Sequence, residues 1–238
     1  MERVRTGIEE FDKKIGGGYP KGRTMLVTGT TGTAKTILGI HFIYQGCLEG
    51  KKCRIIATEE IPEDILDQAE SLGMHLGDYY ENGSLSIDKV YEERTGHAGE
   101  VMSFGIEKID ELQFNLLGLQ ERIPDGTDIV LLDNIGVFTL NMSANEFRAQ
   151  FDTLIFGLSR KNITVMVIMD SEANERTGGV AAYSVYGIIK TSIKDNPYKD
   201  ERERFLEVLK IRNTTISLNP VKFEITSKGI VLLKKEKK

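Results

Sequence analysis

Gly29-Thr30-Thr31-Gly32-Thr33-Ala34-Lys35-Thr36 is the stretch whose residue types and spacing suit chemistry: permissive glycines, one cation, and a hydroxyl beside it. Before it, Thr24-Met25-Leu26-Val27-Thr28 reads as a buried strand; after it, Ile37-Leu38-Gly39-Ile40-His41-Phe42-Ile43-Tyr44 reads as an apolar-faced helix. A phosphate-binding loop requires that strand-loop-helix setting. Successive backbone N–H groups turn inward around the anion, and the helix start adds about half a positive charge. Lys35 would then reach the β- and γ-phosphates of a nucleotide, and the Thr36 hydroxyl would ligate Mg²⁺. The pattern G-x-x-x-x-G-K-S/T has glycine where this chain has Ala34. If that peptide is left-handed, alanine costs affinity; if it is helix-like, alanine is harmless.

Carboxylates close three later apolar runs. Arg54-Ile55-Ile56-Ala57-Thr58 reads as a strand ending in Glu59-Glu60, and Pro62 opens the next helix. In a doubly wound sheet, ligands sit at that end of the strands. One carboxylate can orient a water for in-line attack on a γ-phosphate while the other holds it through a second contact. Equally, both can simply favour the dipole of the following helix. Ile129-Val130-Leu131-Leu132 ends at Asp133, the form of a Walker B strand whose Asp holds Mg²⁺ through water. The run 163–169 ends in Asp170-Ser171, where a polar residue could sense the γ-phosphate.

The elements that must hold these residues follow from periodicity and turns. Ile8, Phe11 and Ile15 have helical spacing before Gly16-Gly17-Gly18, predicting a short lid-like helix within residues 1–23. Further helices are expected over 62–72, from Ser103 to Pro124 (Ile106, Ile109, Leu112, Leu116, Leu117, Leu119), and over 143–159, with Ser143 and Glu146 as a capping box. Leu85-Ser86-Ile87-Asp88 reads as a third strand. Beyond 182 the pattern changes to short strands over 183–192, 205–212, 221–226 and 230–233, joined by turns. The fold class is therefore α/β: a mainly parallel sheet flanked by helices, with an antiparallel extension, in a single domain over 1–238. The cationic tail 234–238 reads as a frayed end.

The chain has 238 residues and a net charge of -5, which argues against a broad basic surface for nucleic acid. Cys47 and Cys53 have no His or Cys partner at metal-ligand spacing and read as ordinary thiols in a reducing compartment. No apolar run approaches the roughly 20 residues that span a bilayer, so a cytoplasmic protein without membrane contact is expected. His97 reads as solvated within a charged loop.

Four stretches in order resemble the KaiC-like branch of the RecA superfamily of ATPases. They are Thr6-Gly7-Ile8 with Phe11-Asp12 and Gly17-Gly18; residues 29–36; Thr58-Glu59-Glu60 with Pro62; and Leu209-Lys210-Ile211-Arg212 followed by Phe223-Glu224-Ile225-Thr226 and Gly229-Ile230. The likeness spans nearly the whole chain, with 79–121 matching only as generic helix and strand. It implies a RecA-like P-loop fold, ATP and Mg²⁺ as ligands, and a homo-oligomeric ring, usually a hexamer, with ATP between subunits. In that setting Lys210 and Arg212 look like the pair that reaches the neighbour's phosphates, with Thr214 among the nucleotide contacts. Taken without the family, the two are solvated cations on an edge strand.

Departures from the family pattern limit what carries over. Asn134 follows Asp133 where Ser is frequent, and Ile216 stands where a His would be expected. Val180-Ala181-Ala182-Tyr183-Ser184-Val185-Tyr186 lacks the acidic residue and Ser-Thr pair of the autophosphorylating clock domain, so autokinase activity is not supported. The resulting expectation is slow ATP hydrolysis, or nucleotide-gated assembly that signals to an unidentified partner. Two other readings stay open. One is a recombinase paralogue binding single-stranded DNA, although its loops at 91–102 and 171–186 carry chiefly Arg94 and Arg176. The other is a nucleotide-binding scaffold without turnover.

Overall fold

A computed structural model describes residues 1–88, 90, 116–139, 142–171, 175–197 and 201–233. The apolar runs β3 (Thr24–Gly29), β4 (Cys53–Ala57), β6 (Ile129–Asp133) and β7 (Thr164–Asp170) are buried almost throughout. Continuous rather than alternating hydrophobicity is what a parallel strand covered on both faces requires. They form the centre of a nine-stranded sheet ordered β11-β10-β9-β8-β3-β7-β6-β4-β5. β5 (Leu85–Asp88) and β8 (Gly187–Asn196) flank this centre in parallel. β9 (Glu201–Ile211), β10 (Val221–Thr226) and β11 (Gly229–Leu232) then extend the sheet antiparallel. A separate two-stranded ribbon pairs β1 (Arg3–Val4) with β2 (Tyr19–Pro20).

One face carries α1 (Glu9–Lys14), α2 (Lys35–Leu48), α3 (Pro62–Ser71) and α4 (Leu76–Glu81). The other carries α5 (Gly118–Glu121), α6 (Ala144–Arg160) and α7 (Glu175–Ser184). α6 presents Phe147, Phe151, Leu154 and Leu158 to the sheet at three- and four-residue spacing, and its start is capped by Ser143, whose Oγ accepts from the Glu146 N–H at 3.2 Å. Phe11 and Ile15 are buried, and Tyr19 stacks edge-on between Phe11 and Phe42 with centroids 6.3 and 5.1 Å away. The amino-terminal segment is thus a packed wall of the α2 core. Truncating Phe42 to alanine there would cost about 3–5 kcal/mol.

Three sequence expectations shift. Tyr183 and Ser184 end helix α7, and the strand expected from 183 begins at Gly187. Asp195 and Asn196, expected in a turn, extend β8 and pair with Arg202 and Glu201. α4 and the β1–β2 ribbon appear where no element was expected. The loop with Arg94 and His97, the positions Ile106, Ile109 and Leu112, and the tail 234–238 lie outside the described residues. Among the described residues no helix is long and apolar enough to cross a membrane. Cys47 and Cys53 are buried free thiols, and the hydrogen bond with the neighbouring Cys47 thiol, together with burial, pushes Cys53 far above the ordinary range.

Candidate nucleotide site

The loop between β3 and α2 is built to leave main-chain donors facing outward. α2 begins at Lys35 with neither a side-chain cap nor an acidic residue in its first turn, so its initial N–H groups are left for an anion. Gly29 is required by crowding: a Cβ there would lie 2.4 Å from the Thr191 hydroxyl and 2.7 Å from that of Thr33. Those two buried hydroxyls meet at 2.8 Å, tying the loop to β8, and Thr33 also donates to the Thr30 carbonyl at 2.7 Å. Thr30, Thr31 and Gly32 form the exposed rim. Lys35 Nζ donates to the Thr30 carbonyl at 2.8 Å and lies 3.4 Å from Asp170 Oδ2, which also accepts from Thr31. Ala34 is left-handed, with φ 70° and ψ 31°, so position 34 does ask for the conformation that glycine adopts most easily.

The carboxylates gather beside this loop because β4 and β6 are adjacent, with Ala57 level with Asp133. Thr58 fixes the join: its N–H donates to the Asp133 carbonyl at 2.8 Å, and its hydroxyl donates to the Asn134 carbonyl at 2.7 Å. Asn134 Nδ2 reaches Glu59 Oε2 at 3.5 Å. Thr36, Glu59, Glu60 and Asp133 line a cleft of about 30 Å³. Burial pushes the Asp133 carboxyl up to about 7, against the Thr36 hydroxyl that hydrogen-bonds to it, with Glu60 and Glu59 adding to the rise. Glu60 is raised by burial, then by Asp64 and Glu59. Asp133 and the Thr36 hydroxyl bonded to it are oxygen donors of the kind a hard cation such as Mg²⁺ takes, while among the described residues no three acidic side chains converge to hold an ion by themselves. A roomier cavity of about 570 Å³, between Phe11 and the β9–β10 strands, contains none of these residues. The donor set and the adjoining loop, not volume, single out the smaller cleft as the candidate site.

Lys210, Arg212 and Thr214 are elsewhere. Ile211 pairs with Gly187, which pairs with Met25, whereas the loop leaves the sheet at Gly29. Four residues of strand, about 13 Å, therefore separate the levels of the two groups. Lys210 Nζ donates to the Ala182 carbonyl at 2.7 Å and Arg212 Nη2 to the Tyr183 carbonyl at 3.0 Å. The Thr214 hydroxyl accepts from Arg3 Nη2 at 2.7 Å. The β9 residue that does reach the loop is Arg204, whose Nε donates to the Gly32 carbonyl at 3.3 Å. Its place in the charged run Glu201-Arg202-Glu203-Arg204 gives no local signal; only the β8–β9 register brings it there.

Known proteins resemble this chain in sequence and in fold. A KaiC-like protein from the hyperthermophilic archaeon Pyrococcus horikoshii OT3 superposes with a TM-score of 0.77 at 25% identity, over 98% of this chain and 99% of that one. The circadian clock oscillator protein KaiC 1 of a Synechocystis species is 32% identical over 240 residues, and KaiC of Synechococcus elongatus is likewise 32% identical. This chain is covered to 97% in each case but spans only 44% of those clock proteins. The family described as "ATPase: KaiC" matches residues 4–237. The chain belongs to the KaiC family of ATPases.

Proposed function

We propose that residues 1–238 form one Mg-ATP-binding domain that hydrolyses ATP slowly between copies of itself in a ring, its nucleotide state controlling assembly or a partner's response. The carrying observation is the sheet register: Lys210 stands level with Leu26 and Ile211 with Met25, so Lys210 and Arg212 bracket a level about 13 Å down the sheet from the end of β3. A cation pair so far from its own phosphate loop suits a neighbour's phosphates. The exposed aromatics Tyr183 and Phe156, 81% and 65% accessible, flank that end and suit burial by a second copy.

In this reading the loop amides of residues 29–36 and Lys35 hold the β- and γ-phosphates, Lys35 exchanging Asp170 for the phosphate oxygen. Arg204, anchored on Gly32, flanks the same nucleotide. Thr36 directly, and Asp133 through water, would hold Mg²⁺, which supplies charge neutralisation on the phosphates. Glu59 and Glu60 orient the attacking water, and the raised proton affinity of Glu60 fits it to receive a proton. The neighbour's Lys210 and Arg212 meet negative charge as it develops on the γ-phosphate, with Thr214 alongside.

Mixing tests the shared site. Lys35→Ala chains and Arg212→Ala chains, each inactive alone, should regain ATP hydrolysis when combined with Mg-ATP at assembling concentrations, because some interfaces then pair an intact loop with an intact Arg212. Light scattering should show a mass increase on adding Mg-ATP to the wild-type chain. Mixed chains that assemble without recovering activity would overturn the shared site.

A further inference from the structure

The last carbonyls of a helix have no partner within it. In α7 two of them are taken up by the cation pair: Ala182 O by Lys210 Nζ and Tyr183 O by Arg212 Nη2. The negative end of a helix favours positive charge, so the cations complete the helix while the helix holds the cations. Arg212 is also held through its backbone, its N–H donating to the Tyr186 carbonyl at 3.1 Å. Lys210 has its pKa lowered by burial and by the neighbouring Arg212 charge. Two mutually repelling cations rest there because the carbonyls receive them.

The same helix carries Gly178 and Gly179 side by side in its body. Neither has positive φ, and a Cβ on either would meet nothing within 4 Å. Neither packing nor backbone geometry therefore calls for glycine. What the two do is weaken the helix, by about fivefold each against alanine in the helix-coil equilibrium.

We propose that α7 is a releasable clamp, whose C-terminal carbonyls hold Lys210 and Arg212 off a neighbouring copy's phosphates until the glycine-weakened helix lets them go. The clamp rests on the reading that these cations act on a neighbour. Coupling is reciprocal: whatever draws the cations to a neighbouring phosphate strips two carbonyls of their partners and loosens α7, and whatever firms α7 holds the cations back. Ala182 and Tyr183 are positioning residues through their backbone oxygens.

The test replaces both glycines in the full chain. Gly178→Ala with Gly179→Ala should lower kcat for ATP up to about twenty-fold while KM and nucleotide affinity stay the same, since the nucleotide loop is untouched. Ala182→Gly, which keeps the carbonyl and weakens the helix further, should raise kcat severalfold. Hydrogen exchange supplies a readout independent of activity: α7 amides of the wild-type chain should exchange faster with Mg-ATP at assembling concentration than without nucleotide, and the double variant should suppress the difference. Arg212→Ala is the control that separates the two ideas. Unchanged kcat in the double-alanine variant, where Arg212→Ala abolishes turnover, would overturn the clamp and leave the shared site standing. Unchanged turnover in Arg212→Ala would overturn both. If the double variant does not fold, slower exchange of wild-type α7 on adding Mg-ATP decides against the clamp.

Discussion

Lys35 Nζ stands 3.4 Å from Asp170 Oδ2, with the two side chains only 10% and 20% accessible, so this cation is held by a carboxylate of its own chain. On the proposed function a nucleotide must displace that carboxylate. Asp170→Asn should therefore tighten ATP binding about two- to fivefold, the worth of a partly buried ion pair of up to about 1 kcal/mol. Isothermal titration calorimetry measures it, and weaker binding would mean that Asp170 contacts the bound nucleotide or its cation.

Ala34 bears on stability before it bears on binding. It is left-handed, at φ 70°, a strain that the folded chain carries. That cost is about 1 kcal/mol. Ala34→Gly should raise Tm by about 2 °C, part of the relief being offset by the extra freedom glycine gains in the unfolded chain. ATP affinity should stay within about twofold, because on the proposed function the loop's phosphate contacts come from backbone N–H groups, which the substitution keeps. Clearly tighter ATP binding would show that the loop is reshaped by its ligand.

Glu59 and Glu60 border the cleft with Asp133 and Thr36. Glu59→Gln combined with Glu60→Gln keeps size and polarity but removes both bases, so phosphate release should fall by about a hundredfold or more. ATP affinity should hold. Lys35→Ala, by contrast, should abolish ATP binding itself. Undiminished phosphate release in the double glutamine variant would exclude these carboxylates from handling water.

His41, midway along α2, accepts the Ile230 N–H through Nε2 at 2.8 Å, which requires the neutral ring, and burial lowers its pKa to about 4. Unfolded, it would titrate near 6.5. Between those values the unfolded chain binds the proton and the folded chain does not, so stability falls as pH drops through that window. The loss from pH 7.5 to 5 amounts to about 2 kcal/mol. Asp133, pushed up to about 7, works in the opposite direction. Urea titrations at the two pH values should therefore be compared between wild type and His41→Gln, in which Asp133 contributes equally. The wild-type chain should lose about 2 kcal/mol more than the variant; equal losses would show that His41 is not held neutral.

What was readable in the sequence was what is local. The strand and helix that bracket residues 29–36 are set by neighbours in sequence, and Asp133 closes an apolar run that forms a doubly covered strand. Pairings set by the order and register of strands were not readable. Arg204 meets Gly32, and Thr191 meets Thr33, only because β8 pairs parallel with β3 and antiparallel with β9. Asp170 was marked as polar at a strand end, but its engagement of Lys35 depends on β7 lying beside β3. The end of α7 was misread because Tyr183, Val185 and Tyr186 favour strands by composition, while the burial of Ala181 and Val185 against the sheet holds the segment helical to Ser184. α4, six residues long with Gly77 inside it, is too short for periodicity to reveal.

The hydrogen-bonded run from β3 through β8 to β9 sets the offset between the loop at 29–36 and the Lys210–Arg212 pair through backbone pairing rather than side-chain contacts. No bending of side chains lets one copy serve itself over such a span. If the pair acts at all, hydrolysis per chain depends on how crowded the chains are, rising steeply through the association constant and vanishing on dilution. Protein concentration then becomes a control on the reaction as real as the supply of ATP.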